Sequence, residues 1–375
     1  MKRVVILQRI VPHYRLSLFD RMAARLKRQG VNFEVVYGQE YPGTVPRSIH
    51  VQRDWATFAR NSYVHIGGLE LTYQHIPVGE FDADLVIIEH ASRLLHNYTL
   101  LFRQKKRRKL AFWGHGRDMK SNGGPRELLK ARLLKRADWY FAYTDLSRDI
   151  VLRAGFPVER VTVTQNTIET EVLQQHLDSV DHNRIPELLA ADSITGKNMA
   201  LFCGGLRREK KLAFLIDAAA LVRAEIEDFE LVVIGTGPEE GIVRAAASRY
   251  EWVHYLGPKF GHDLAPYLSS SKLLLMPGLV GLVIVDSFVA GVPLVTTDNG
   301  IHSPEIAYLE NGVNGVMTGF DVNRYASAVV DLLQSPEKLE HLRAGCRSSA
   351  KHYTIHAMVE NMAGGILACL TAPRR

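Results

Sequence analysis

The sequence predicts an α/β protein of two domains, each a parallel sheet covered by helices, facing one another across a cleft. Three observations carry this. The chain has 375 residues, 46% hydrophobic and 23% charged, which is too long for one comfortable core and suits two. Short β-branched runs alternate with helical patterns from the start, the grammar of βαβ units and hence of parallel strands. That alternation pauses at a polar stretch, Glu171 to Lys197, and then begins again.

Taken in order, Val4 to Leu7 is the first strand. A helical pattern follows through Leu16, Phe19, Met22 and Leu26, then a strand from Phe33 to Tyr37. Leu85 to Ile88, a helix from about Ser92, Leu110 to Trp113, a basic helix near Glu127 to Arg136, Trp139 to Ala142 and Val161 to Val163 complete the first domain. Its boundary is expected at residue 172, with the linker in the polar stretch that follows. The second domain, 173–354, repeats the scheme with Met199 to Phe202, a helix from Leu212 to Val222, Leu231 to Ile234, Trp252 to Leu256, Lys272 to Met276, a helix from Leu282, and Leu294 to Thr296. The last segment, about 355–375, carries an apolar stripe through Met358, Met362, Ile366 and Leu367, as a docking helix does.

Cys203, Cys346 and Cys369 are too few and too scattered for a disulfide framework, which fits a reducing cytoplasm. Met1-Lys2-Arg3 leads only into the short run Val4 to Leu7, read as a strand rather than a signal peptide, and no apolar run is long enough to span a membrane. A net charge of +6 favours anionic partners: nucleotide phosphates, lipid headgroups or nucleic acid. No nucleic-acid recognition motif is present to support the last of these.

The most informative stretch is Pro277-Gly278-Leu279-Val280-Gly281-Leu282-Val283-Ile284-Val285-Asp286-Ser287-Phe288-Val289-Ala290-Gly291-Val292-Pro293. A strand, a glycine-containing turn and a helix start aim free backbone amides and the positive end of a helix dipole at one point, where phosphate binds. Asp286 lies one turn into that helix, where a carboxylate can accept hydrogen bonds from ribose hydroxyls or simply offset the dipole.

This stretch resembles the donor-site signature of the retaining GT-B glycosyltransferases of family 4, E-G-F-G-L-x-x-x-E-A-x-A-x-G-x-P. The resemblance implies two Rossmann-like domains in the GT-B arrangement, with the C-terminal helix of about 355–375 packing back on the first, acceptor-binding domain, and a nucleotide-diphosphate sugar as donor bound by the second. It places Gly281 and Leu282, with Leu279 and Val280, at the diphosphate and Asp286 at the second glutamate. Gly278 stands where the family has its first glutamate, a contact to the transferred sugar.

Supporting matches run along the chain. Gly204-Gly205-Leu206-Arg207-Arg208-Glu209-Lys210 resembles the family's G-R-L-x-x-E-K, whose arginine and lysine hold the diphosphate. Lys210 matches the lysine; Gly205 replaces the arginine, leaving Arg207 or Arg208 to supply the second cation that a departing diphosphate requires. Gly235-Thr236-Gly237-Pro238 resembles a weak dinucleotide fingerprint and, in the family, is mainly a tight turn near the nucleotide. Asn166 to Glu169, Pro304-Glu305 and Asn314-Gly315 match family elements read as architecture.

In the first domain, Gly114-His115-Gly116 follows a strand at the edge where parallel sheets present ligands, and the resemblance assigns His115 to the sugar near the reacting carbon. Glu89-His90 and Pro12-His13-Tyr14-Arg15 occupy similar edges, implying acceptor contacts; Arg15 reads equally as a surface charge. Asp82-Ala83-Asp84 precedes a strand, at the wrong edge for metal chelation, so no metal is expected and the nucleotide-sugar is substrate, with no cofactor.

The implied activity is retaining, metal-independent transfer of a sugar to a saccharide or lipid-linked saccharide, as in bacterial surface-polysaccharide assembly. Lys105 to Lys109, with Arg126, Lys130, Arg132, Lys135 and Arg136, suggests either solvated helix ends or peripheral contact with the anionic inner face of the membrane. Two other readings remain: a sugar-binding scaffold weakened by Gly278 and Gly205, and a nicotinamide oxidoreductase, which lacks an acidic residue after Trp252 to Leu256.

Overall fold

The computed structural model describes residues 1–42, 50–67, 69–76, 82–102, 108–116 and 132–375. It divides into two compact units, Met1–Glu169 with Ile355–Arg375, and Thr170–Thr354.

The first unit contains β1 (Lys2–Gln8), β2 (Val31–Tyr37), β3 (Ala56–Phe58), β4 (Asn61–Ile66), β5 (Leu69–Gln74), β6 (Leu85–Glu89), β7 (Lys109–Gly114), β8 (Trp139–Ala142) and β9 (Val161–Val163). Among the described residues its main sheet runs β3-β2-β1-β6-β7-β8-β9, with every pairing parallel. Both faces are covered, which is why β1 reads as an unbroken apolar run instead of an alternating one. Val4 and Ile6 pack on one side with the helix Leu16–Lys27, and Val5 and Leu7 on the other.

The helix Ile355–Thr371 belongs to this first unit and buries Met358, Val359, Met362, Ile366 and Cys369 in the same cluster as Val4 and Ile6; Leu367 lies at its edge. It approaches β9 so closely that a Cβ on Gly365 would stand 2.4 Å from Thr162 Oγ1. The Lys109 ammonium donates to the carbonyls of Cys369 at 2.6 Å and Leu370 at 2.9 Å, satisfying the helix end and its dipole.

The second unit contains β10 (Asn198–Cys203), β11 (Phe229–Ile234), β12 (Val253–Tyr255), β13 (Leu273–Met276), β14 (Leu294–Asp298) and β15 (Gly315–Gly319). Among the described residues they run β12-β11-β10-β13-β14-β15, all parallel. In each unit the chain winds outward one way and then restarts on the other side: between β1 and β6, and between β10 and β13. In sheets wound this way the loops leaving those strands diverge, and ligands bind at the carboxyl ends of the strands there.

Two expectations change, and one element was not foreseen. The polar stretch expected as a linker is mostly helical, Thr170–Asp178 and Ile185–Ala191, and belongs to the second unit. Its composition reads as linker because Ile185–Ala191 buries none of its residues. The helix expected from Ser92 starts at Leu95. The antiparallel ribbon of β4 and β5 was not anticipated, although paired runs around Gly67-Gly68 are the signal for it. The basic helix expected near Glu127 lies largely outside the described residues. Among the described residues, no helix is long and apolar enough to cross a membrane.

Candidate functional site

The second unit's switch point is flanked by the loop after β10, residues 204–210, and the loop after β13, residues 277–282, leading into the helix Val283–Ala290. The two loops are laced together. The Leu279 amide donates to the Glu209 carbonyl at 2.8 Å, and the Lys210 ammonium donates to the Leu279 carbonyl at 2.6 Å. From the far side, Thr297 Oγ1 and Asn299 Nδ2 donate to the Pro277 carbonyl at 2.6 and 2.9 Å. The Ser303 amide donates to the Val280 carbonyl at 2.9 Å.

This lacing narrows the predicted amide cradle. Leu279 and Val280 were expected at a phosphate, but the Leu279 amide is taken by Glu209 and the Val280 amide donates to His302 Nδ1 at 3.1 Å. The amides of Gly281, Leu282 and Val283 make no hydrogen bond to the protein among the described residues, and the helix start has no side-chain cap. Three adjacent unused donors at the positive end of a helix dipole are an arrangement that can hold an anion.

Lys210 and Asp286 are both half-buried. Burial pushes the Lys210 ammonium down to about 8, with the Cys203 thiol opposing that shift and the neighbouring Arg207 adding to it. Burial alone pushes the Asp286 carboxyl up to about 7. The Cys203 thiol, at the end of β10, is pushed up to about 12 by burial first and by the Asp286 charge second, with Lys210 acting against both. Asp286 makes no hydrogen bond among the described residues. A desolvated carboxylate and a desolvated ammonium beside three unused amides are poised for a ligand that supplies both phosphate and hydroxyl groups.

Gly278, expected at a sugar contact, is closed off. A Cβ there would lie 2.3 Å from the Glu209 carbonyl oxygen and 2.4 Å from the Lys210 carbonyl carbon, so the loop can pack only as glycine and no side chain could project from this position. Gly235 and Gly237 are likewise dictated by packing: Cβ atoms on them would stand 1.9 Å from the Gly204 oxygen and 2.4 Å from the Leu206 oxygen. Gly204, at φ +151°, lets the Lys210 side chain fold back over it, its Nζ 3.9 Å from where a Cβ would be. Arg207 and Arg208 are exposed, and neither makes an ion pair among the described residues.

In the first unit, Pro12 to Arg15 follow β1, Glu89 and His90 end and follow β6, and His115 follows β7. Arg15 is no surface charge: it is 4% exposed, donates to Asn166 Oδ1 at 2.6 Å and lies 4.9 Å over the Trp113 ring and 5.6 Å from the Tyr143 ring. The His115 ring meets that same Tyr143 edge-on at 4.6 Å. Pro12 accepts the Arg15 amide at 2.9 Å, while His13 and Tyr14 are exposed. Glu89 accepts the Arg9 amide at 2.6 Å, and burial raises its carboxyl despite that bond. His90 Nδ1 is 3.1 Å from the Tyr140 hydroxyl, which also accepts the Gly116 amide at 2.8 Å.

Among the described residues no group of three or more His, Cys, Asp or Glu is placed to hold a metal ion. Asp84 instead pairs with Lys2 at 2.7 Å and accepts the Arg3 amide at 2.8 Å. The basic run loses part of its surface role. Lys109 caps the final helix and Arg108 is 3% exposed. Lys105 to Arg107, Arg126 and Lys130 lie outside the described residues; Arg132, Lys135 and Arg136 are exposed.

Sequence reasoning missed His302, Thr297 and Asn299, which hold the loop after β13 from β14 and the turn beyond it. No local pattern marks them, because their partners are backbone atoms some twenty residues away.

Residues 197–335 match the sequence model of the family described as Glycosyl transferases group 1. The chain is 25% identical over 292 residues to the alpha-D-kanosaminyltransferase of Streptomyces kanamyceticus, covering 75% of this chain and 69% of that protein. It is 25% identical over 214 residues to the 2-deoxystreptamine N-acetyl-D-glucosaminyltransferase of Niallia circulans, covering 54% of this chain and 52% of that protein. In structure it is similar to Anabaena HepE in complex with UDP, with a TM-score of 0.70 at 15% identity over 98% of this chain and 100% of the other. That likeness gives the fold as GT-B.

Proposed function

We infer that this chain, whose residues 197–335 are a group 1 glycosyltransferase domain, moves a sugar from a nucleoside diphosphate donor to a hydroxyl of a saccharide or lipid-linked saccharide, with retention at the anomeric carbon. The observation that carries the reading is the set of three unused amides at Gly281, Leu282 and Val283 beside the Lys210 ammonium. Together they offer a diphosphate one cation and three backbone donors.

Asp286 accepts the ribose hydroxyls from one turn along the same helix, and Arg207 or Arg208 brings a second cation from the exposed loop. As the bond from the anomeric carbon to the diphosphate lengthens, charge gathers on the leaving oxygens. Lys210 and the amides, fixed before the reaction, stabilise that charge without rearranging. This supports chemistry that needs no metal. The first unit binds the acceptor with the residues ending β1 and β6, His13 and Tyr14 with Glu89 and His90, while His115, held against Tyr143 at the end of β7, meets the transferred sugar near the reacting carbon. Acceptor attack on the face the diphosphate leaves gives retention.

HepE with UDP makes uridine the first base to test, and the names of the two relatives point to amino sugars among the candidates. Surface-polysaccharide assembly at the inner face of the membrane is the proposed setting, with Arg132, Lys135 and Arg136 as the exposed basic contacts. Sedimentation unchanged by anionic liposomes would remove that contact.

The test is a panel of nucleoside diphosphate sugars with the full-length protein in chelator. The reading expects thermal stabilisation by one base family and transfer undiminished by chelation, with the product's anomeric configuration, read by NMR, the same as the donor's. Binding without transfer would favour a scaffold descended from such enzymes.

A further inference from the structure

His302 is 5% exposed and makes two hydrogen bonds that fix its chemistry. Its Nε2 is 2.7 Å from the Thr297 carbonyl oxygen, which can only accept, so Nε2 carries the proton. Its Nδ1 is 3.1 Å from the Val280 amide, which can only donate, so Nδ1 is bare. The ring is therefore neutral and in one tautomer. Burial depresses its proton affinity in the same sense, against the pull of the Thr297 carbonyl and Asp298 and with the push of Lys210.

Val280 immediately precedes the three unused amides. Its carbonyl is held by the Ser303 amide and its own amide by His302, so the two successive peptide groups that Val280 joins, the second of which carries the Gly281 amide, are both pinned to the segment that follows β14. On the other side, Leu279 is pinned to Glu209 and Lys210. Glycine at 281 could otherwise rotate, since a Cβ there would make only ordinary contact with Ser303, at 3.5 Å from Oγ and 3.8 Å from Cβ.

We propose that His302 is a positioning residue for donor binding: by holding the Val280 amide it sets the direction of the Gly281, Leu282 and Val283 amides toward the diphosphate. This rests on the donor site proposed above. His302 touches no substrate. Its contribution is the orientation of amides that would otherwise have to be ordered when the ligand arrives.

Two variants separate its two bonds. The Asn oxygen in His302→Asn stands where Nδ1 stands and keeps the Val280 bond. The Gln amide nitrogen in His302→Gln stands where Nε2 stands and keeps only the Thr297 bond. Titration calorimetry with the best bound of UDP, GDP, ADP and dTDP is expected to show affinity within about twofold of the original for His302→Asn and about tenfold weaker for His302→Gln. Equal weakening in both variants, or none in either, overturns the inference. A wild-type protein that binds no nucleoside diphosphate overturns the donor site itself, which is a distinct result. Should His302→Gln not fold, amide hydrogen exchange on the wild-type protein decides. Protection at Val280 with fast exchange at Gly281 and Leu282 is expected, slowed at those two by the ligand; an unprotected Val280 overturns the inference.

Discussion

Lys210 and Asp286 lie in a setting that makes each charge less comfortable than in water, and each shift has a sign that can be tested. With the Lys210 ammonium lowered to about 8, the cation proposed to meet the diphosphate is lost as pH rises past that value. Nucleoside diphosphate affinity should therefore fall above pH 8 in the wild type and stay flat in Lys210→Arg, which remains charged; calorimetry between pH 7 and about 9.5 reads this. Lys210→Ala should cut turnover by at least about a hundredfold with little change in Tm, since among the described residues its ammonium bonds a single carbonyl. Asp286, raised to about 7, is most favourable to the folded state when protonated, and that contribution is lost as pH climbs from the ordinary carboxylate range to about 7. Asp286→Asn should raise Tm by about 2–4 °C at pH 8, with the gain shrinking toward pH 4, while donor binding weakens. Stability gained where binding is lost would mark the carboxylate as functional. Lys210, Gly281 and Asp286 were legible from motif spacing. Arg15 was not, because its burial comes from Trp113, Tyr143 and Asn166, far along the chain.

At the scale of elements, the loop after β13 is shaped by what it touches. Gly278→Ala should lower Tm by several degrees and weaken nucleotide binding together, because its Cβ would collide with backbone at 2.3 Å and the displaced loop carries the amides. Differential scanning fluorimetry with and without ligand measures both. The strands were readable since burial on both faces writes long apolar runs. The helices Thr170–Asp178 and Ile185–Ala191 were not, because exposed helices look polar and resemble linkers. The glycine pair at 235 and 237 mimics a dinucleotide fingerprint but reads as a tight turn, and both residues are needed to let two loops approach.

Across the whole molecule, each sheet restarts beside its first strand, and the residues singled out in each unit cluster at that restart. The chain's end is part of the first unit's core, with Met358, Met362 and Ile366 fully buried. Ending the chain at Thr354 should strip that core face and yield aggregated protein, seen as a void-volume peak in size exclusion, whereas removing only the residues after Ala372 should leave a soluble chain. The second unit supplies every group assigned to the donor's diphosphate and ribose. The most direct test of that assignment is a crystal structure with a nucleoside diphosphate bound. Phosphate oxygens within hydrogen-bond distance of the Gly281, Leu282 and Val283 amides and of Lys210 Nζ are predicted. A diphosphate bound elsewhere, with those amides facing solvent, would contradict the account.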